Sequence, residues 1–306
     1  MNAIDFYYMA PLIGGSAIAL IPGVNNYIAK SAKSVGFTLL LNFSLGAIAL
    51  GVLYVAFSTV RFSALSHIPL WYFLGGLYGT LTVVVMTITP AKIGIGKTLA
   101  IFITARLTSA TIIEDNGWLN MQQNAATILQ VVGVVVAVVG TVLILRVKAT
   151  QNHNEKVVVL YYVLCFLSGI SSSLQSSTNA ALLGVTNDMV FVSWLNFSEN
   201  LIVLIIFYMF YSLFFKVRIN FVLPKKIYFF GVLSALSSLT VISMMAIGSL
   251  KVGVANTVIL SVLTQLATGT LIDHYGWLKV ARHRFSAKSF FGLILLLSGV
   301  YLVVVY

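Results

Sequence analysis

The chain states one pattern twice, and an odd number of apolar segments separates the two statements. Lys92 to Leu119 aligns without a gap on Lys251 to Leu278 at a constant offset of 159, with nine of 28 positions identical. A second block pairs Gly15, Leu20, Asn25, Leu41, Asn42, Phe43 and Ser44 with Gly169, Leu174, Asn179, Leu195, Asn196, Phe197 and Ser198, at an offset of 154. The chain therefore reads as two related halves, residues 1–150 and 151–306, joined near 147–156. A repeat of this length governs every later assignment, because each half must find a structural equivalent in the other.

Composition selects the solvent in which those halves fold. Apolar residues make up 59% of the chain, charged residues only 8%, and the mean hydropathy is +1.01. A soluble globule carries about 25% charged residues, so this chain has too little polar surface to face water. Ten apolar stretches lie at roughly 8–27, 36–57, 70–90, 97–113, 127–146, 157–176, 189–214, 227–247, 252–272 and 288–306. Most approach the roughly 20 residues that an α-helix needs to cross about 30 Å of hydrocarbon. They lack the alternation of membrane-barrel strands, so the expected fold is an all-α membrane protein with ten transmembrane helices. The start of the chain lacks a basic segment and a small-residue cleavage site, so the first span is expected to be retained. The single Cys165 has no cysteine partner within the chain.

A net charge of +11 does not point to nucleic acid here, because the cations are sorted by side. Fifteen of them, from Lys30 and Lys33 after the first span to Lys279, Arg282, Arg284 and Lys288 after the ninth, fall on one face. The other face holds Arg61 and Lys251, with Asp5, Glu114, Asp115, Asp188 and Asp273 assigned to its membrane ends. The positive-inside rule puts the basic face in the cytoplasm and both termini on the non-cytoplasmic side. With five spans per half, equivalent segments then have opposite orientation. Such inverted-topology repeats build many secondary transporters, whose solute sites lie near the bilayer midplane.

Particular residues also carry a family resemblance. The run Thr264-Gln265-Leu266-Ala267-Thr268-Gly269-Thr270-Leu271-Ile272-Asp273-His274-Tyr275-Gly276 resembles the glutamine-containing, Asp-His-aromatic-Gly motif of the YdcZ-like family in the drug/metabolite transporter superfamily. Gln175, Asn179 and Gly184 resemble that family's early Gln, Asn and Gly positions. Asn42 to Gly46 resembles its Phe-x-x-Gly element, and Gly75, Gly76 and Gly79 its glycine-rich helix. The resemblance implies two five-helix units fused in one chain. It departs from the family pattern at Arg106, where glutamine is usual, and at Asn200 beside Glu199, where glycine is usual. A third departure is the run from Gly231 to Ala235, where the glycines are lost.

Two charges at membrane depth are the sharpest site candidates, Arg106 midway along the fourth span and Glu199 about ten residues into the seventh. A charge at the bilayer centre costs at least about 2.5 to 3.5 kcal/mol, so such groups face a cavity or a partner. Glu199 is expected to exchange protons with a coupling gradient. Arg106 is expected to hold an anionic group through its planar fork, or else to pair with Glu199. Gln265, aligned with Arg106, and Trp194, Asn196, Asn42, Asn25, Gln175 and Asn179 complete the candidate set. Pairs of polar side chains in lipid also serve as contacts between helices. Trp118 and Trp277, each in a Gly-Trp-Leu turn, read as interfacial anchors.

No metal-ligand spacing, paired-cysteine motif or nucleophile elbow appears, so neither a cofactor, a metal nor an enzymatic activity is expected. The expected function is secondary transport, as export, of a small organic solute across the bacterial inner membrane, coupled to protons. The alternatives are a passive channel and a membrane accessory subunit. The expected partners are the solute, the lipid bilayer, protons and, as an oligomeric form, a second copy in a homodimer.

Overall fold

The computed structural model describes residues 3–60, 68–120, 123, 125–145, 155–215, 225–252, 254–279 and 287–305. The junction between the halves lies largely outside them, as do Arg61, Arg146, Lys148, Lys216, Arg218, Arg282 and Arg284 of the charge pattern. All regular structure among the described residues is helical. The order is α1 (Ala3–Ala32), α2 (Val35–Phe57), α3 (Gly75–Ile88, entered through a tight turn at Leu70–Leu74), α4 (Pro90–Ile93), α5 (Ile95–Asp115) and α6 (Ile128–Leu145). The second half follows as α7 (Glu155–Thr186), α8 (Met189–Phe215), α9 (Lys225–Val252), α10 (Val254–Tyr275) and α11 (Ala287–Val305).

Seven of these segments are long and apolar enough to cross a membrane: α1, α2, the Leu70–Ile93 segment containing α3 and α4, α6, α7, α8 and α11. Their outward faces are greasy, with Ile48, Val52, Val55 and Phe57 on α2 and Ile128, Val131, Val135 and Val139 on α6 all exposed. Continuous apolar surface of this extent marks contact with lipid rather than water. The central helix α5 is not among the seven. The first half of α5, from Ile95 to Ala105, is buried by its neighbours at nearly every position and so tolerates Thr98 and Thr104.

Contacts between the halves are reciprocal. Helix α1 packs on α9 and α10, and α7 packs on α3 and α5; α2 packs on α8, α5 on α10 and α6 on α11. A methyl group on Gly15 would strike the Ser261 carbonyl and Thr264, whereas one on Gly169 would strike the Phe102 carbonyl and Ala105. Ser261 and Thr264 follow Phe102 and Ala105 by the repeat offset, so one close approach is built twice. On α6 and α11, Gly133 lies against Gly299 and Gly140 against Gly292, and the same offset relates Gly133 to Gly292 and Gly140 to Gly299. Residue numbers therefore rise along α6 as they fall along α11, and the two run antiparallel. The same holds for α2 and α8, where Gly36 meets Tyr208 and Gly51 meets Trp194, and for α5 and α10, where Gly96 meets Asp273 and Leu99 meets Gly269.

The backbone repeats as well. Every non-glycine residue with positive φ among those described belongs to an offset pair: Lys33 (54°) with Asn187 (49°), and Leu119 (57°) with Leu278 (58°). Gly117 (61°) and Gly276 (68°) precede the latter pair, and here glycine supplies a left-handed conformation that a Cβ disfavours. Trp118 and Trp277 in these turns are each 56% exposed, as interfacial anchors require.

One sequence assignment needs correction. Asp273, placed above at the acidic face, is 6% exposed and accepts the Ile95 N–H at 2.8 Å and the Gly96 N–H at 2.5 Å. It therefore sits beside Lys97 at the basic end of α5. The first turn of any α-helix leaves N–H groups without intrahelical partners, and a carboxylate from α10 satisfies two of them.

Candidate functional site

The densest polar cluster lies where α3 meets α7 and α8. Asn196 is its centre. Its amide oxygen accepts from Gln175 Nε2 at 3.0 Å and from Asn200 Nδ2 at 3.0 Å, while its own Nδ2 donates to Asn179 Oδ1 at 3.2 Å. Thr80 on α3 donates to Asn200 Oδ1 at 3.0 Å. Local geometry explains the convergence: Gln175 and Asn179 stand one turn apart on α7, and Asn196 and Asn200 one turn apart on α8, so each pair shares a helix face. The glycines of α3 let this amide layer approach its backbone. A Cβ on Gly75 would meet Asn179 and Asn196, one on Gly79 would meet Gln175 and Asn200, and one on Gly76 would meet Glu199 and the Asn200 amide.

Glu199 closes the cluster from α8. Its Oε2 accepts the backbone N–H of Gly76, the second residue of α3, at 2.7 Å. The carboxylate thus caps the positive end of that helix. Its Oε1 is buried and has no hydrogen-bond partner.

Arg106 lies elsewhere, on α5 against α7. The Ser173 hydroxyl on α7 donates to the Arg106 carbonyl at 2.7 Å, and Gly169 lies against the Arg106 amide. These contacts fix its backbone. No ion pair joins Arg106 to Glu199, so the pairing alternative is withdrawn: the cap on α3 occupies one oxygen of the glutamate, and α7 stands against the arginine. The repeat equivalent of Arg106, Gln265, is 2% exposed, and its Nε2 has no partner.

The remaining candidates separate into two groups. Asn25 on α1 bridges three helices, accepting from Ser234 on α9 at 2.8 Å and donating to Thr87 on α3 at 3.4 Å. Asn42, the equivalent of Asn196, is 3% exposed with an unpartnered Oδ1. Trp194 does not join the amide cluster. It stacks on Tyr54 with centroids 4.4 Å apart and 3° between planes, and lines an open groove of about 660 Å³ with Ile48, Gly51 and Val52 on the outer face of α2. Of the residues that sequence reasoning left outside the site, Asn200 had been visible as a departure from the family pattern. Thr80, close to Thr82, and Ser173, in the run Ser171-Ser172-Ser173, are hydroxyls that nothing in the sequence distinguishes from their neighbours, and they carried no signal.

Fold and cluster together define a polytopic helical membrane protein with polar side chains gathered inside a lipid-facing shell. The chain belongs to the family described as "Putative inner membrane exporter, YdcZ", in the drug/metabolite transporter (DMT) group, whose model matches residues 6–143 and again 160–302. It is thus an inner-membrane protein of a transporter family rather than of an enzyme family. Thirteen chains of solved structures match the fold. One, a crystal structure of a protein 14% identical in sequence, superposes with a TM-score of 0.61 over 99% of this chain and 96% of that chain. At that identity the likeness is one of fold. No protein of curated function matches the chain.

Proposed function

We propose that the chain is a ten-span secondary carrier that exports a small organic solute, built from two five-helix repeats, 1–150 and 151–306, in opposite membrane orientation. The observation that carries this reading is one of level. Along the antiparallel pair α2 and α8, the contacts of Gly36 with Tyr208 and Gly51 with Trp194 bring Glu199 level with its own repeat equivalent, Leu45. Along α5 and α10, the contacts of Gly96 with Asp273 and Leu99 with Gly269 bring Arg106 level with Val262, three residues from its equivalent Gln265. In an inverted repeat the axis that exchanges the halves lies in the bilayer midplane, so residues level with their own equivalents sit at the depth where carriers of this construction bind solute.

Glu199 serves in this reading as the proton-exchanging group. Its Oε2 stays on the Gly76 amide while the unpartnered Oε1 takes and releases the proton, which makes loading sensitive to pH. Both termini lie on the non-cytoplasmic side, and the protein works as a homodimer.

The test is flux in proteoliposomes, with amino acids, organic cations, nucleosides and carboxylates screened with and without a pH gradient. Gradient-driven accumulation supports the carrier; flux unaffected by collapse of the gradient assigns a passive channel, and absence of flux with a fixed co-purifying protein assigns an accessory subunit. Orientation is tested separately with single cysteines at Ser31 and Asn187 in a Cys165→Ser background. Labelling from opposite faces is expected, and labelling of both from one face overturns the inversion.

A further inference from the structure

We infer that Arg106 and Gln265 form one subsite that takes the oxyanion of the solute, a terminal carboxylate or phosphate. The inference rests on the carrier reading and names the chemistry of its cargo.

The argument begins with register. Ile95, Gly96 and Leu99 on α5 touch Asp273, Thr270 and Gly269 on α10. Arg106 follows Leu99 by two helical turns and Gln265 precedes Gly269 by one, so both side chains stand on the facing stripes of the same antiparallel pair. Three residues separate their levels, about 4.5 Å of rise. Both side chains are long enough to reach one small ligand across that offset.

The second step is an inventory of donors and acceptors. A guanidinium offers five N–H donors and no acceptor, and its planar fork fits two oxygens of a carboxylate or phosphate. The hydrogen bonds described for Arg106 beyond its own helix ladder are to its backbone carbonyl, from Ser109 and Ser173, and its side chain is partly buried. The Gln265 amide nitrogen is buried and unfilled. Native interiors seldom leave a buried donor unpaired, so the Gln265 amide, with the guanidinium of its repeat equivalent within three residues of its level, calls for an absent acceptor.

The protein itself does not provide that acceptor. The side chains around this level of the pair, Ile103, Leu107, Val262 and Leu266, are apolar and form one cluster. Asp273 is held by the Ile95 and Gly96 amides, Asp115 accepts from Ala126 at the far end of α5, and Glu114 beside it is exposed. Glu199 is engaged on α3. Meanwhile Ser173 and Gly169 pin the Arg106 backbone, so the guanidinium is presented from a rigid support. An ammonium offers no acceptor and an uncharged hydroxyl or carbonyl no counter-charge, whereas an oxyanion supplies both.

The experiment uses the full chain in phosphatidylcholine nanodiscs, with butyl phosphate and butyrate as probes and butylammonium and butanol as controls. The two anions are expected to raise the unfolding midpoint and the controls to leave it unchanged. Arg106→Gln and Gln265→Glu should each weaken anion binding at least tenfold, and Arg106→Lys less. Without any probe, Gln265→Glu should raise the midpoint, because it gives Arg106 the missing counter-charge; a merely structural glutamine would not respond in this way. Anion shifts that appear only when an anionic lipid is left out of the disc would identify a lipid headgroup as the source of the oxyanion. Undiminished anion binding in Arg106→Gln and Gln265→Glu overturns the subsite. Transport of butylammonium with no anion binding overturns the subsite and leaves the carrier intact. Sealed vesicles that pass no solute of any class overturn the carrier reading instead.

Discussion

Glu199 on α8 accepts the N–H of Gly76 at the start of α3 at 2.7 Å, and its second oxygen is buried without a partner. One side chain from the second half thereby holds the end of a helix from the first, while keeping an oxygen in reserve. In the proposed carrier, structural and titrating roles are divided between the two oxygens of this carboxylate.

Glu199→Gln tests that division. The amide oxygen of glutamine can still accept from Gly76, so the variant is expected to fold and insert with an unfolding midpoint within a few degrees of the parent. Gradient-driven flux should vanish, since no proton can be exchanged. Glu199→Ala leaves the Gly76 donor unsatisfied and should cost about 1–3 kcal/mol as well. Proton coupling that persists in the glutamine variant would remove Glu199 from the mechanism.

Gly76→Ala should be severe and Gly184→Ala mild. A methyl on Gly76 meets Glu199 and the Asn200 backbone, whereas none of the surrounding atoms lies within 4 Å of one on Gly184. Overpacking at the first site is expected to cost about 1–3 kcal/mol. The second change sits inside α7 and should stabilise by about 0.5–1 kcal/mol, because alanine loses less backbone freedom. Thermal unfolding in detergent compares the two, and equal effects would mean that the α3 contact is not tight.

Asn196 and Asn42 are equivalent in sequence but should differ in cost when truncated. Asn196→Ala removes hydrogen bonds to Gln175, Asn179 and Asn200, leaving several buried polar groups unpaired. Asn42→Ala removes a side chain whose oxygen has no partner. The expected difference is at least about 1 kcal/mol, and a double-mutant cycle of Asn196 with Asn179 should show coupling. Equal losses from the two alanine variants would contradict the asymmetry.

Asp188, in the turn between α7 and α8, gives a pH-dependent prediction. Burial pushes its pKa up, but the Ser58 hydroxyl and the Phe191, Thr59 and Val190 amides together outweigh this and hold it below the usual carboxylate value. A lowered folded pKa means that the stabilisation is present above the unfolded pKa, about 3.9, and is lost as pH falls through the folded value. Asp188→Ala should therefore cost about 0.5–2 kcal/mol at pH 7, as loss of a helix cap does, and the gap to the parent should close below about pH 4. A gap that is constant down to pH 3 would show that the charge of Asp188 is not what stabilises the turn.

The duplication was legible because identical residues at fixed spacing survive in one dimension. The offsets of 159 and 154 reappear in the folded backbone as paired left-handed residues, Leu119 with Leu278 and Lys33 with Asn187. The amide cluster was half legible: Gln175, Asn179 and Asn196 could be named as polar residues in apolar helices, but Thr80 resembles any other membrane threonine. Asp273 was misplaced although chain order decides it: it ends the ninth span just before Lys279, on the basic face, and its bonds to the Ile95 and Gly96 amides agree.

Apolar content, helical period and internal repetition determined on their own that this chain would fold as helices in lipid, with equivalent residues in two copies, since these properties are carried by each segment alone. Tertiary structure alone decided which equivalents remained alike. Asn196 is saturated and Asn42 is not, Arg106 stands apart from Glu199, and Trp194 turns to Tyr54, because a side chain's partner is set by the register and closest approach of two helices far apart in sequence. That register depends on small residues such as Gly76 and Gly169, whose importance lies in the atoms that fill the space they leave.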